Sequence, residues 1–314
     1  MQRTSSVLLV IGVLFAGMVV VPGARSWGNG GWSADPLNPD YGIHDWIAEK
    51  ALDMQVIDVT FLKTTYHSEY LYGTEWPDNP SNIGDTFNHH VYYFATGALQ
   101  ADIGAVRAQA MYNQALTYLA SSDYRNAAYY IGAMTHYIAD LGVFGHTMGA
   151  ATDWGAEVHH TSDYEPWFNL NIGSLRTPTG ISLFDLDARS ATLSLAFDIT
   201  FGLGPIKANI WMDANYNWAD SVFKSSALAS LNESVEAVAA ALNHLLIGQI
   251  IPEFGSPASM IGVAVIMVAI MIVMRRRNES KIDGVISQRW LAEREYQRRR
   301  RSSVEAAEDK KDGT

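Results

Sequence analysis

The chain has 314 residues, 48% of them apolar and 11% aromatic, so it can build a packed core and is not globally disordered. It contains no cysteine, which excludes disulfide scaffolds, thiolate metal sites and cysteine nucleophiles. The net charge of −11 is segregated: residues 27–274 hold 8 bases against 25 acids, while the flanks at 1–26 and 275–314 are both net basic.

In chain order, Val7–Val21 is an apolar run behind Arg3, broken by Pro22-Gly23 and followed by Ala24-Arg25-Ser26. The pattern predicts a signal peptide over residues 1–26, cleaved to leave Trp27 as the first residue. Trp32 is a second candidate for that terminus. Gly28–Asp40 is a predicted loop. Apolar spacing near 3.6 then predicts helices over Ile43–Gln55, Gly104–Ser121, Tyr124–Phe144, Ile206–Ser226 and Ala227–Ile250. Tyr124–Phe144 is apolar nearly all round, as expected of a central buried helix. Thr74–Asp85 and Asn171–Gly180 are rich in Gly, Pro and Asn and predict loops. No long segment alternates at period two, so residues 27–256 predict one all-α domain. Pro257–Met274 is apolar and stopped by Arg275-Arg276-Arg277, which predicts a single transmembrane helix at 257–274. The arginines place the charged tail, 275–314, in the cytoplasm and the acidic domain outside the cell membrane.

Histidine is the informative residue. Without cysteine, a metal must be held by imidazole and carboxylate. His136 and Asp140 are four apart on the apolar helix, so they share a face, and His146 follows the glycines Gly142 and Gly145. A buried ionisable pair there is costly unless it is mutually paired or metal-bound. His159-His160-Thr-Ser-Asp163-Tyr-Glu165 pairs two histidines with two acids; His159/Asp163 and His160/Glu165 are both candidate pairs. Trp76-Pro77-Asp78, followed by His89-His90, offers a further carboxylate and imidazole. His44 opens a helix, and His67 and His244 lack an acid or second imidazole at helical spacing.

The order of these features resembles the zinc-dependent phospholipase C family, related to single-strand-specific fungal nucleases and glycosylphosphatidylinositol-specific phospholipase D. The resemblance covers Trp27–Phe168, and its most specific part is His136-x3-Asp140-x5-His146. It implies a compact all-α domain and three zinc ions. Asp78, His90, His136 and Asp140 would hold the first. His146, His160 and Glu165 would hold the second. Trp27, through its amino group and carbonyl, would hold the third with His44 and Asp140. His90 is preferred over His89 because the aromatic run after it fits the family pattern. The chain departs from that pattern in having one residue too many between His160 and Glu165, and a long stretch between Trp27 and His44.

The implied activity is hydrolysis of a phospholipid phosphodiester by metal-activated water, with Asp78 orienting that water or taking its proton. A nuclease on the same scaffold is the first alternative, disfavoured by the shortage of basic residues in the body. A non-catalytic metal-binding ectodomain is the second.

Overall fold

A computed structural model of the chain describes residues 31–159, 164–178 and 185–247. The expected leader, Trp27, His160, Asp163, the membrane segment 257–274 and the tail lie outside the described residues. All described residues fall within one compact unit, Met1–Gln249. Among them no helix is long and apolar enough to cross a membrane.

The described residues form eight α-helices: α1 (Ile43–Asp53), α2 (His67–Glu75), α3 (Ile103–Ala120), α4 (Tyr124–Ala139), α5 (Glu165–Asn171), α6 (Ala188–Phe201), α7 (Asn209–Ala214) and α8 (Ser221–Ile247). A small antiparallel pair, β1 (Tyr92–Tyr93) and β2 (Leu99–Ala101), precedes α3. The mostly helical architecture agrees with the expectation; the two short strands were not foreseen, because period-two alternation has no meaning over two or three residues.

Helix α4 is the centre. It packs against α2, α3, α8, α1 and α6, and from Ile131 to Ala139 every residue is buried. Asp123 caps its start by accepting the Asn126 backbone N–H at 3.2 Å. The predicted helix to Phe144 ends at Ala139, where the chain tightens into two short turns, Asp140–Gly142 and Phe144–Thr147. The two segments predicted separately at Ile206–Ser226 and Ala227–Ile250 also differ. Asp220 accepts the Val222 and Phe223 N–H groups and starts one continuous helix, α8, whose buried side chains run from Phe223 to Leu246.

Helix α2 falls where apolar spacing predicts no helix, and its last two residues lie in the predicted loop Thr74–Asp85. Glu69, Thr74 and Glu75 are all buried on it, so its sequence lacks an apolar stripe. It is held by backbone approach. A Cβ on Gly132 would lie 2.1 Å from the Tyr70 carbonyl oxygen, and one on Gly73 would lie 2.2 Å from that of Tyr129. The two glycines let α2 and α4 cross with their main chains nearly touching, which brings Thr74 and Asp78 to His136.

Gly132→Ala forces these backbones apart. We expect a loss of at least about 1–3 kcal/mol, the usual cost of overpacking, read as a lower denaturant midpoint. An unchanged midpoint would show that the crossing tolerates a side chain.

Candidate metal centre

Asp140 begins the turn that ends α4 and is fully buried. Three histidines from three separate segments converge on it. His136 Nε2, one helical turn earlier, lies 3.2 Å from Oδ2. His89 Nδ1 makes a short contact with the same oxygen. His44 Nε2, from the first turn of α1, stands 3.2 Å from Oδ1. Asp78, on the turn after α2, completes the set: its Oδ1 lies 3.7 Å from His89 Nε2 and 3.8 Å from His136 Nε2. Donor atoms of Asp78, His89 and His136 lie within 4.8 Å of one another, and so do those of His44, His136 and Asp140.

The rings form a row. His44 stacks on His136 at 3.9 Å between centroids, His136 meets His89 edge-on at 5.2 Å, His89 is 6.3 Å from His146, and His146 is 4.8 Å from His90. His146 is buried on the second turn after α4.

The supporting bonds fix which atoms face inward. His136 Nδ1 donates to the Thr74 carbonyl at 2.6 Å, which leaves Nε2 as the inward lone pair. His89 Nε2 contacts the Asp85 carbonyl, and Tyr137 packs on the His89 ring at 5.0 Å. The Asp85 carboxylate is paired with Arg107 Nε at 2.7 Å and accepts from Tyr137 at 3.2 Å. This Asp85–Arg107–Tyr137 bracket was missed in the sequence, since 22 and 52 residues separate Asp85 from its partners.

The buried groups set one another's charge. Burial opposes the charge on Asp140, yet His136 and His89 hold its carboxyl well below the usual carboxylate range. Burial likewise opposes charge on His89, but Asp140 and Asp78 carry its pKa up to about 9. Burial and the neighbouring His136 push His44 down to about 4. Neither ring nitrogen of His44 makes a hydrogen bond among the described residues, and neither does Asp140 Oδ1, although all three atoms are buried. His44 Nε2 and Asp140 Oδ1 are close enough for an ion pair but out of hydrogen-bond alignment. Buried polar atoms left this way cost free energy, and an imidazole–carboxylate donor set suits zinc. The residues therefore fit the metal.

Of the expected site residues, His44, Asp78, His136 and Asp140 lie together around the end of α4. Of the doublet, His89 meets Asp78, His136 and Asp140, while His90 faces His146. Glu165 is buried at the start of α5. His159 pairs with Asp213 at 3.1 Å and stacks on Tyr216 at 4.8 Å.

The stretch before α1 is tied to the end of α2 by Glu75, whose carboxylate accepts the backbone N–H of Ser33 at 2.8 Å and of Asp40 at 3.1 Å. Trp32 at its start is 56% exposed.

Residues 43–176 match the family model for zinc dependent phospholipase C. The match bears out the resemblance read from the motifs. Two solved structures share the fold. An alpha toxin from Clostridium absonum superposes with a TM-score of 0.50 at 13% identity, covering 72% of this chain and 68% of that one. A Clostridium perfringens alpha-toxin from an avian strain gives 0.51 at 14% identity, covering 71% and 67%. A search of curated proteins finds no match.

Burial raises the Glu75 pKa from 4.5 to about 7 against its two backbone donors. Between those values the folded chain keeps a proton that the unfolded chain has released, so stability falls as pH rises across that window. Glu75→Gln cannot titrate. The stability difference between wild type and Glu75→Gln, measured by denaturant unfolding at pH 5 and pH 7.5, should shift in favour of the variant at the higher pH. A pH-independent difference would refute the assignment.

Proposed function

We propose that the protein is a zinc-dependent phosphodiesterase of the phospholipase C type that hydrolyses phospholipid. The observation that carries this reading is the buried row of imidazoles around Asp140, on a segment with this family's signature. Asp78, His89, His136 and Asp140 are the first-site ligands in this proposal, with His89 in place of His90. His146, His160 and Glu165 serve the second site, and engagement of His159 by Asp213 favours His160 for that role. His44 and Asp140 serve the third, with the amino terminus at Trp27.

Zinc bound there supplies positive charge that polarises a phosphoryl oxygen and favours deprotonated water. The protein's own groups do the rest. Asp140 stays ionised because its histidines hold it so, and the Thr74 carbonyl keeps the His136 lone pair turned inward. The Asp78 side chain is 13% exposed where that of Asp140 is 0%, so Asp78 is the carboxylate placed to take a proton from an attacking water. The acidic body gives nucleic acid no broad basic footprint, which favours lipid as substrate.

The proposal extends to location. Residues 1–26 are a cleaved leader, 27–256 the catalytic domain outside the cell, 257–274 a single membrane anchor and 275–314 a cytoplasmic tail. The anchor keeps the domain beside its lipid.

The mature chain beginning at Trp27 should contain close to three zinc ions and hydrolyse phosphatidylcholine vesicles in preference to single-stranded DNA. His136→Ala should abolish hydrolysis and lower both zinc content and stability, because Asp140 then loses a partner and a metal. Wild-type protein devoid of zinc, or cleavage of DNA alone, would overturn the reading.

A further inference from the structure

We propose that the face formed by the loop before β1, the β1–β2 hairpin and the first turn of α3 docks on a phospholipid bilayer and sets the metal centre against it. The choice of a lipid surface rests on the phosphodiesterase reading above, but docking is measured apart from hydrolysis.

Phe87, Phe94, Leu99, Ile103 and Val106 are all exposed. They are five of the fifteen exposed large hydrophobic side chains among the described residues, gathered within residues 87–106. Monomeric soluble proteins seldom leave contiguous apolar surface without a use for it. Here hydrogen bonds hold the contributing segments together. The Phe94 N–H donates to the Ala98 carbonyl at 2.8 Å, and Tyr93 pairs with Leu99, so Phe94 and Leu99 share the end of the hairpin. The Gly104 N–H donates to the His90 carbonyl at 2.9 Å, and a Cβ on Gly104 would lie 3.1 Å from the His89 carbonyl carbon. The start of α3 is thus laid on the histidine doublet, with Ile103 and Val106 three residues apart on one side of the helix. Arg107 Nε then reaches back to Asp85 Oδ2 at 2.7 Å. Asn88 bonds Asp85 Oδ1 through its backbone N–H at 3.2 Å and its side-chain amide at 2.7 Å. That tight turn leaves Phe87 81% exposed, two residues before His89.

Charge selects the occupant. Residues 86–122 hold one acid, Asp102, and one base, Arg107, whereas the rest of 27–274 holds 24 acids and 7 bases. Both are paired, Asp102 with Arg189 and Arg107 with Asp85. A layer of lipid phosphates repels an acidic surface, and this stretch is where the acids are missing. A bilayer also accepts apolar side chains from several segments without a complementary shape, to a depth of about 5–10 Å. A folded partner would have to match all three segments, and the face offers no charged rim to fix its register.

The chain has no cysteine, so one introduced cysteine carries a spin label at a single place. Phe87→Cys and Val106→Cys test the face. Val56→Cys is the comparison: Val56 is 87% exposed and lies at the other end of α1 from His44. Each labelled mature chain, beginning at Trp27, is reconstituted into vesicles of a phosphatidylcholine analogue with carbon in place of the glycerol oxygen on phosphorus, which resists cleavage. The labels at positions 87 and 106 should collide more with oxygen than with a water-soluble nickel chelate, and the label at position 56 should remain aqueous. In a separate assay, Phe87→Ser combined with Phe94→Ser should lower the ratio of vesicle hydrolysis to hydrolysis of monomeric short-chain phosphatidylcholine by about tenfold or more, the scale of withdrawing a phenyl ring from an apolar phase. An aqueous label at either position of the face, or an unchanged ratio, would overturn the docking. Dipolar broadening between labels on two chains would assign the face to a second copy and overturn it as well. Hydrolysis by a chain with aqueous labels leaves the activity standing and removes this inference. Lipid-buried labels on a chain that cleaves no phosphodiester keep the docking face and remove the activity.

Discussion

The structure depends on one buried charge. Asp140 has no solvent exposure and sits where the central helix ends, in a domain whose interior is otherwise mostly apolar. A lone carboxylate in that position would cost several kcal/mol, and the chain would neutralise it or fail to fold. Instead, His44, His89 and His136 are brought to its two oxygens from three segments. That convergence ties α1, the loop before β1 and α4 to one point. It also concentrates imidazole and carboxylate at the density a metal requires. Stability and chemistry therefore share an origin, and the interior cannot be made more apolar at that point without losing the site.

The second constraint is steric and serves the first. The Gly73–Gly132 crossing puts the end of α2 against α4 at backbone distance. Only then can the Thr74 carbonyl reach His136 Nδ1 and select the tautomer with an inward lone pair. Asp78 arrives on the same rigid turn, where the Asp85 N–H donates to the Pro77 carbonyl at 2.6 Å and closes the loop. The Asp85–Arg107–Tyr137 bracket then holds His89 from the other side. A basic group is thus present close to the site, but it is committed to a carboxylate, which agrees with a body that is acidic overall.

Local pattern made some of this legible and not the rest. The four-residue step from His136 to Asp140 lies within one helix, so geometry follows directly from spacing. The long apolar helices α3, α4 and α8 were legible for the same reason, although the 227 boundary was not. Spacing carried no information about α2, where buried Glu69 and Glu75 displace the apolar stripe. It also could not choose between His89 and His90. One residue's difference along an extended segment reverses the side a ring faces, and which side is inward depends on where α4 lies.

What the sequence by itself determined is the chemistry: imidazole and carboxylate donors in the absence of any thiol, the helical class, and the likeness of residues 43–176 to one family's pattern. Those follow from composition and from contacts within a few residues. What only the tertiary structure decided is the partnership of each ring: His89 on Asp140, His90 on His146, and His159 drawn off by Asp213. These contacts join residues 51, 56 and 54 positions apart, so they are set by how helices pack and not by any pattern the chain carries locally.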